Sequence, residues 1–268
     1  MPTVNLHTHS AFSDGTLAPR DVLKRAQNAG LEFFSLTDHD TVDGWRDPDY
    51  SLNDYKFKTV RGIEISTSFH DNLHILGYGI DIENKTLLSK LTEYKNRRIK
   101  RVEKMVIALK ELGIDISLAD LYIKDNFSYG RPHIADCLIK KNIIRNRKEA
   151  FQKYLGYEKP AYIPSLGPSV EETIKVIKDA GGYAVLAHPG AVKNLINIAE
   201  FKEMGLDGIE AFYPSHSGAA IRYFIEEAKK LSLFITAGSD YHGPGSGRDS
   251  LSGFDIEENL MGKLKERF

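Results

Sequence analysis

Short apolar runs in this chain end, one after another, in histidine or a carboxylate. Val4-Asn5-Leu6 runs into His7-Thr8-His9, and Glu32–Leu36 runs into Thr37-Asp38-His39-Asp40. Lys58–Ser66 carries Glu64 between Ile63 and Ile65, and Leu73–Tyr78 offers His74. Tyr183–Ala187 delivers His188-Pro189, Gly208–Phe212 contains Glu210 and leads to His216, and Leu233–Ala237 delivers Gly238-Ser239-Asp240-Tyr241-His242. Residues two apart on a strand face the same side, so His7 and His9 can aim at one point. The turn Ser13-Asp14-Gly15 brings a carboxylate back towards them. A glutamate between isoleucines is costly to bury without a partner. The economical arrangement sets the strands side by side with these ends along one edge, where parallel α/β folds build their active sites.

Helical stretches fall between the runs. Ala18–Asn28 has Pro19 in its first turn and Gly30 at its stop. Ser169–Ala180, Val192–Met204, Gly218–Leu231 and a last stretch near Glu257–Arg267 alternate with the later strands. This alternation predicts an α/β fold with a parallel sheet, open or closed into a barrel. From Lys85 to Leu112 the character changes: Leu87, Leu91, Tyr94, Val102, Met105, Val106 and Leu109 follow a helical period, which Gly113 ends. Shorter helices are expected at Leu118–Ile123, His133–Lys140 and Lys148–Tyr154, before a Pro-rich stretch from Lys159 to Pro168. We therefore expect one α/β domain, residues 1–84 and 154–268, interrupted by a helical insertion at 85–153. Although the net charge is −1, the insertion holds 17 Lys and Arg against 8 Asp and Glu, and the remainder 19 against 29. A basic segment set into an acidic body suggests an anionic partner, such as a phosphorylated small molecule or short oligonucleotide. Tyr94, Tyr122, Phe127 and Tyr129 offer either stacking surfaces or core.

Taken singly, a histidine after a strand is an ordinary turn residue; gathered on one edge with Asp and Glu, this set reads as a metal site. It suits Zn, Mn or Fe and is too rich in imidazole for a Mg or Ca cage. Cys137, the one cysteine, lies in a helical apolar pattern and is expected to be packed there, so thiolate zinc sites and disulfides are excluded. No apolar run is long enough to span a membrane and no leader precedes the first strand, so a cytoplasmic location is expected. Gly243-Pro244-Gly245-Ser246-Gly247-Arg248 lacks the Gly-Lys-Ser/Thr of a P-loop and reads as a flexible loop.

Five motifs now stand in order: His7-Thr8-His9-Ser10 with Ser13-Asp14-Gly15, Leu36-Thr37-Asp38-His39-Asp40, Gly62-Ile63-Glu64, Ala187-His188-Pro189, and Gly238-Ser239-Asp240-Tyr241-His242-Gly243. Together they resemble the PHP (polymerase and histidinol phosphatase) family, from end to end apart from the insertion. The resemblance implies a distorted (β/α)7 TIM-like barrel, two or three divalent metal ions, and metal-assisted hydrolysis of phosphate esters. It implies that His7, His9, Glu64 and Asp240 hold one ion, and that Glu64 bridges to a second held by His74 and His188. Asp14, His39 and His242 hold a third, at a position where many members have His in place of Asp14. Asp38 and Asp40 are expected to orient imidazoles, and Glu210 to orient a ligand histidine. Gly130-Arg131-Pro132-His133 and Tyr213-Pro214-Ser215-His216 resemble a subgroup acting on nucleotides and oligonucleotides. There Arg131 would grip phosphate with His133 beside it, and His216 would contact phosphate or protonate the leaving oxygen. Arg248 is a further candidate for substrate contact. The expected substrate is a nucleoside 3′,5′-bisphosphate or the 5′ end of a short RNA. The alternatives are a small-metabolite phosphatase of the histidinol phosphate type and a metal-stabilised nucleic-acid-binding module.

Overall fold

A computed structural model describes residues 1–121, 127–192 and 196–267. Among the described residues, nine strands form two sheets. In the first, β3 (Lys58–Thr59), β2 (Phe33–Phe34), β1 (Thr3–Asn5) and β9 (Phe254–Asp255) lie in that order. In the second, the order is β4 (Gly62–Ser66), β5 (His74–Tyr78), β6 (Tyr183–Leu186), β7 (Gly208–Phe212) and β8 (Phe234–Ala237). The strands predicted as Lys58–Ser66 and Glu32–Leu36 are shorter, and the first is split between the sheets at Val60-Arg61.

The sheets meet along two seams. Beyond β1, the Leu6 N–H donates to Ala237 O at 2.9 Å, and Thr8 bridges Tyr241 in parallel. Beyond β2, His39 bridges Glu64, and the Asp40 N–H donates to Glu64 O at 2.9 Å. Both seams fall just past the strand ends, where the histidines lie. The pairing is mixed rather than wholly parallel: β5 runs antiparallel to β4 and β6. Only residues 67–73 link β4 to β5, too few for the crossover that a parallel neighbour requires.

Helices cover the strands as the alternation predicts. Helix α1 (Pro19–Asn28) buries Val22, Leu23 and Ala26. Helix α5 (Val170–Asp179) is capped by the Ser169 hydroxyl, which accepts from the Glu172 N–H, and buries Val170, Ile174 and Ile177. Helices α6 (Ile198–Glu203) and α7 (Gly218–Lys230) precede β7 and β8. The stretch expected as a last helix is instead tight 3-10 turns over Glu258–Arg267, broken by Gly262 at φ 51°.

The long helix α2 (Lys85–Glu111) belongs to two cores. Leu87, Leu91 and Tyr94 join the apolar cluster beneath α5. Val102, Met105, Val106 and Leu109 pack with Tyr129, Ile134, Leu138 and Leu155, a separate cluster reaching to Ala161 and including α3 (Arg131–Lys140) and α4 (Arg147–Ala150). A single helix thus carries the chain from one core into the next. Tyr94 and Tyr129 are buried, one in each of these clusters. Phe127 lies against Phe12 with ring centroids 5.0 Å apart, and Tyr122 is outside the described residues. Cys137 is buried in the helical core, as its pattern suggested. Among the described residues no helix is long and apolar enough to cross a membrane.

Candidate metal centre

The strand ends converge on Glu64, which is fully buried at the centre of β4. Its Oε2 lies 3.2 Å from both His7 Nε2 and His9 Nε2 and 3.1 Å from His39 Nδ1. Its Oε1 lies 2.8 Å from His74 Nδ1 and 3.0 Å from His188 Nε2. Asp240 Oδ1 stands 3.3 Å from His9 Nε2, and His242 Nε2 stands 3.1 Å from Asp14 Oδ1. All nine residues singled out as ligands in the sequence thus meet in one place.

Their polar atoms are not satisfied by one another. His7 Nε2, His9 Nε2, Asp14 Oδ1, His39 Nδ1, Glu64 Oε2, His188 Nδ1 and Asp240 Oδ1 are buried without a hydrogen-bond partner. Seven such atoms in one cluster carry a large desolvation cost unless cations complete them, so the donors fit bound divalent ions. Among the described residues, three sets have donor atoms close enough to share an ion: His7, His9, Glu64 and Asp240; His9, Asp14, His39 and His242; and His39, Glu64 and His74. The first is the quartet expected to share an ion. The others divide the remaining residues differently from the expectation, with His9 added to the Asp14 set, His39 beside His74, and His188 reaching in only through Glu64.

The surroundings hold these atoms in position. Glu210, buried on β7, lies 3.0 Å from His7 Nδ1 and accepts from the His188 N–H at 2.8 Å, so it orients a histidine as expected. This leaves His7 Nε2 facing inward. The Tyr213 hydroxyl donates to Asp240 Oδ2 at 3.0 Å, and Arg248 Nη1 lies 2.7 Å from the same oxygen. Only Oδ1 of Asp240 then faces the cluster. Asp40, His188 and Asp240 have φ of 51°, 28° and 54°, a region non-glycine residues seldom adopt. Gly238 is required by crowding, since a Cβ there would lie 2.1 Å from His7 Cβ.

Several expected roles change. Neither Asp38 nor Asp40 touches an imidazole directly; Asp38 reaches His9 through the Ser13 hydroxyl, which lies 3.4 Å from His9 Nδ1. Asp38 accepts from the Ser10 N–H and from the Ser10 and Ser13 hydroxyls, fixing the loop after His9. Asp40 pairs with Arg98 at 2.8 Å. His216 has both ring nitrogens engaged by backbone: Nδ1 lies 2.8 Å from Ala211 O, and Nε2 accepts from the Gly190 N–H at 3.1 Å. Burial pushes its pKa down, and the two backbone contacts tie the turns after β6 and β7 together. His133 Nδ1 accepts from the Gly130 N–H at 3.0 Å, a cap for α3, and His133 does not line the cavity described below. Arg131 does line it, but its Nη1 lies 2.8 Å from Asp71 Oδ2.

Charge within the centre is strongly coupled. Burial pulls His9 down, but Asp240 and Glu64 together outweigh it and raise its pKa to about 9. Burial alone would raise Glu64, yet the imidazoles of His39, His7 and His74 hold it well below the usual carboxylate range. Asp240 is likewise held low against its burial, chiefly by Arg248 and then His7. The centre opens into a cavity of about 820 Å³. Asp14, His39, His74 and His242 line one side, and Arg98, Arg101, Arg131, Arg147 and Phe151 line the side formed by the helices.

A PHP domain profile matches residues 5–156, more than half of the chain. The chain belongs to the PHP family. This PHP protein is 32% identical to the 3′,5′-nucleoside bisphosphate phosphatase of Chromobacterium violaceum, over 92% of its own length and 90% of that enzyme's. It is 29% identical to a 5′-3′ exoribonuclease of Haemophilus influenzae, over 90% of both chains. A crystal structure from Bifidobacterium adolescentis, provisionally named a metal-dependent phosphoesterase, superposes with a TM-score of 0.88 at 27% identity, over 100% of this chain and 98% of that one. The PHP protein is accordingly a metal-dependent hydrolase of phosphoric esters. Its relatives are named for what Arg131, Tyr213 and the basic helices suggested, whereas Asp71, Arg98, Arg101 and the anchoring role of Tyr213 went unseen. Their partners lie 27 to 60 residues away, and no local spacing marks them.

Proposed function

We propose that this PHP protein removes a phosphate from nucleotides bearing two phosphates, such as a nucleoside 3′,5′-bisphosphate, or trims the 5′ end of short RNA. The observation that supports this is the shared cavity, with donors for divalent ions on one side and arginines of the helical segment on the other. A small metabolite with one phosphate would have no use for that second side. We further read the two sheets as one distorted (β/α)7 TIM-like barrel, supported by the hydrogen bonds along both seams. On this reading residues 85–153 are a lid on it.

The proposed ligands are His7, His9, Asp14, His39, Glu64, His74, His188, Asp240 and His242, holding two or three ions of Mn, Zn or Fe. Bound there, divalent ions polarise a phosphoryl oxygen and bring the pKa of water towards neutrality. The residues do the rest. Glu210 fixes the face that His7 presents, and Tyr213 with Arg248 leaves Asp240 a single inward oxygen. Arg131 and its neighbours hold the anionic substrate across the cavity. Neither Cys137, buried in the helical core, nor any serine is asked to act as nucleophile.

The test is a panel of nucleoside 3′,5′-bisphosphates, mononucleotides, 5′-phosphorylated short RNA and histidinol phosphate, with metal analysis of the same sample. Bisphosphate or RNA should give the highest kcat/KM. Preference for histidinol phosphate would sink the nucleotide reading, and no turnover of any ester with a full complement of metal would favour a binding module.

A further inference from the structure

The loop that carries Asp14 is gripped from two sides. On the side of the sheets, Asp38 holds Ser10 and Ser13, and the Thr16 N–H donates to His242 O at 2.7 Å. The other grip comes from the helical segment. The Ser128 N–H donates to Phe12 O at 2.8 Å, and the Phe12 ring stacks on Phe127 with centroids 5.0 Å apart. His133 Nδ1 accepts from the Gly130 N–H, so Nε2 carries the ring proton, and its backbone partner is Ser13. Arg147 Nη1 donates to Asp14 O at 3.2 Å, and among the described residues no other group donates to that carbonyl. Three residues in a row, Phe12, Ser13 and Asp14, are thus held by the helices.

Arg147, the first residue of α4, is arranged for this contact. Its Nε and Nη2 lie 2.7 Å from the two oxygens of Asp136, which fixes the plane of the fork and leaves Nη1 for Asp14. The side chain is only 11% exposed. Burial works against its charge, but Asp136 and then Asp14 outweigh it and raise its pKa. A buried guanidinium this close to a carboxylate would ordinarily pair with it. Here it takes the carbonyl instead, and the carboxylate turns to His242, 3.1 Å away, with Oδ1 buried and without a hydrogen-bond partner.

We propose that the helical segment completes the ion site formed by His9, Asp14, His39 and His242, with Arg147 as the residue that positions Asp14. This deepens the ligand assignment above and rests on it. An ion is held at Asp14 only while α3 and α4 are docked on the loop. Linkage makes the effect reciprocal, so an ion there also keeps the helices docked. The helices pack around their own apolar cluster, so their hold on the loop can change while the donors around Glu64 stay in place. Charge alone predicts the opposite sign. A guanidinium beside Asp14 repels a cation, and deleting it would tighten the site if Arg147 acted only through its charge.

The experiment follows Mn²⁺ binding to the wild type, R147M, R147K, D136N and D14A by titration calorimetry and elemental analysis, with a cooperative urea transition verified for each. R147M should weaken one ion by roughly tenfold or more and leave the others unchanged. R147K, which keeps the charge and a donor, should fall between R147M and the wild type. D136N, at a half-exposed position, should weaken the same ion and decides the matter if R147M does not fold. Hydrogen exchange over residues 131–155 should slow when Mn²⁺ is added to the wild type and not when it is added to D14A. An unchanged or tighter ion in R147M, equal weakening of every ion, or exchange that responds alike in D14A overturns the proposal. D14A separates this failure from that of the ligand assignment. If D14A loses no ion, none is held at Asp14 and the assignment fails, taking the proposal with it; if D14A loses one that R147M and D136N retain at full affinity, the proposal alone fails.

Discussion

Glu64 is the residue on which the centre turns, because its two oxygens face different groups of imidazoles. Glu64→Gln keeps shape but offers one acceptor oxygen and an amide where a second anion is needed. We expect folded protein with sharply reduced metal content and a fall in kcat of at least about a hundredfold, read by elemental analysis and steady-state kinetics. Asp14 is the contrasting case, standing at one edge against His242 and His39. Asp14→His should retain all ions and Asp14→Ala should lose one, by elemental analysis; equal loss of every ion in Asp14→Ala would contradict a separate site there. These residues were legible because they break a local rule. A glutamate between isoleucines, or His-x-His at the end of an apolar run, has no use in packing. The residues that escaped notice obey local rules: Arg98 and Arg101 look like any exposed pair on a basic helix, and only the fold brings Asp40 and Asp71 to them.

Among elements, the turns after β6 and β7 are tied together by His216, and the tie leaves no room to spare. A Cβ at Gly190 would lie 2.7 Å from the imidazole. His216→Ala would strip both turns of a hydrogen bond and open a void. It should cost about 2 kcal/mol or more of stability, measured by urea denaturation. The same variant separates a brace from a proton donor. As a brace, its loss should lower activity equally on aryl and alkyl phosphates; as an acid, it would matter far more for the alkyl ester, whose leaving oxygen needs the proton. The succession of strands and helices was legible from alternation, but strand direction was not. The antiparallel run of β5 follows from the short link 67–73, which the sequence shows without revealing which neighbour it serves. The terminal helix failed for a similar reason, since Gly262 in a left-handed conformation interrupts a stretch whose composition favours helix.

We expect the molecule as a whole to draw part of its stability from ions, because seven polar atoms at the centre are buried without a hydrogen-bond partner. Ions present at a hundred times their dissociation constant would add about 2.7 kcal/mol, so chelation should lower Tm by several degrees by calorimetry. The effect has a definite sign with pH. In the ion-free centre His9 keeps a proton up to about pH 9. Uptake near neutrality must expel it, and affinity should climb as pH rises from 6 towards 9. Titration calorimetry in buffers of different ionisation enthalpy would count the released protons; a count of zero at pH 7 would contradict the raised pKa.

Thr8 meets Tyr241 at the seam, so donors from the start of the chain are completed by donors near its end. During synthesis, at roughly 5 to 20 residues per second, His7 and His9 would wait on the order of 10 to 50 s for Asp240 and His242. Throughout that interval the nascent chain displays half-built chelating sets able to take an ion but unable to enclose it. We expect the ion carried by the finished enzyme to reflect what the unfinished chain meets during that interval. Expression in medium of altered metal content should accordingly change which ion the purified protein carries more than soaking the finished protein does.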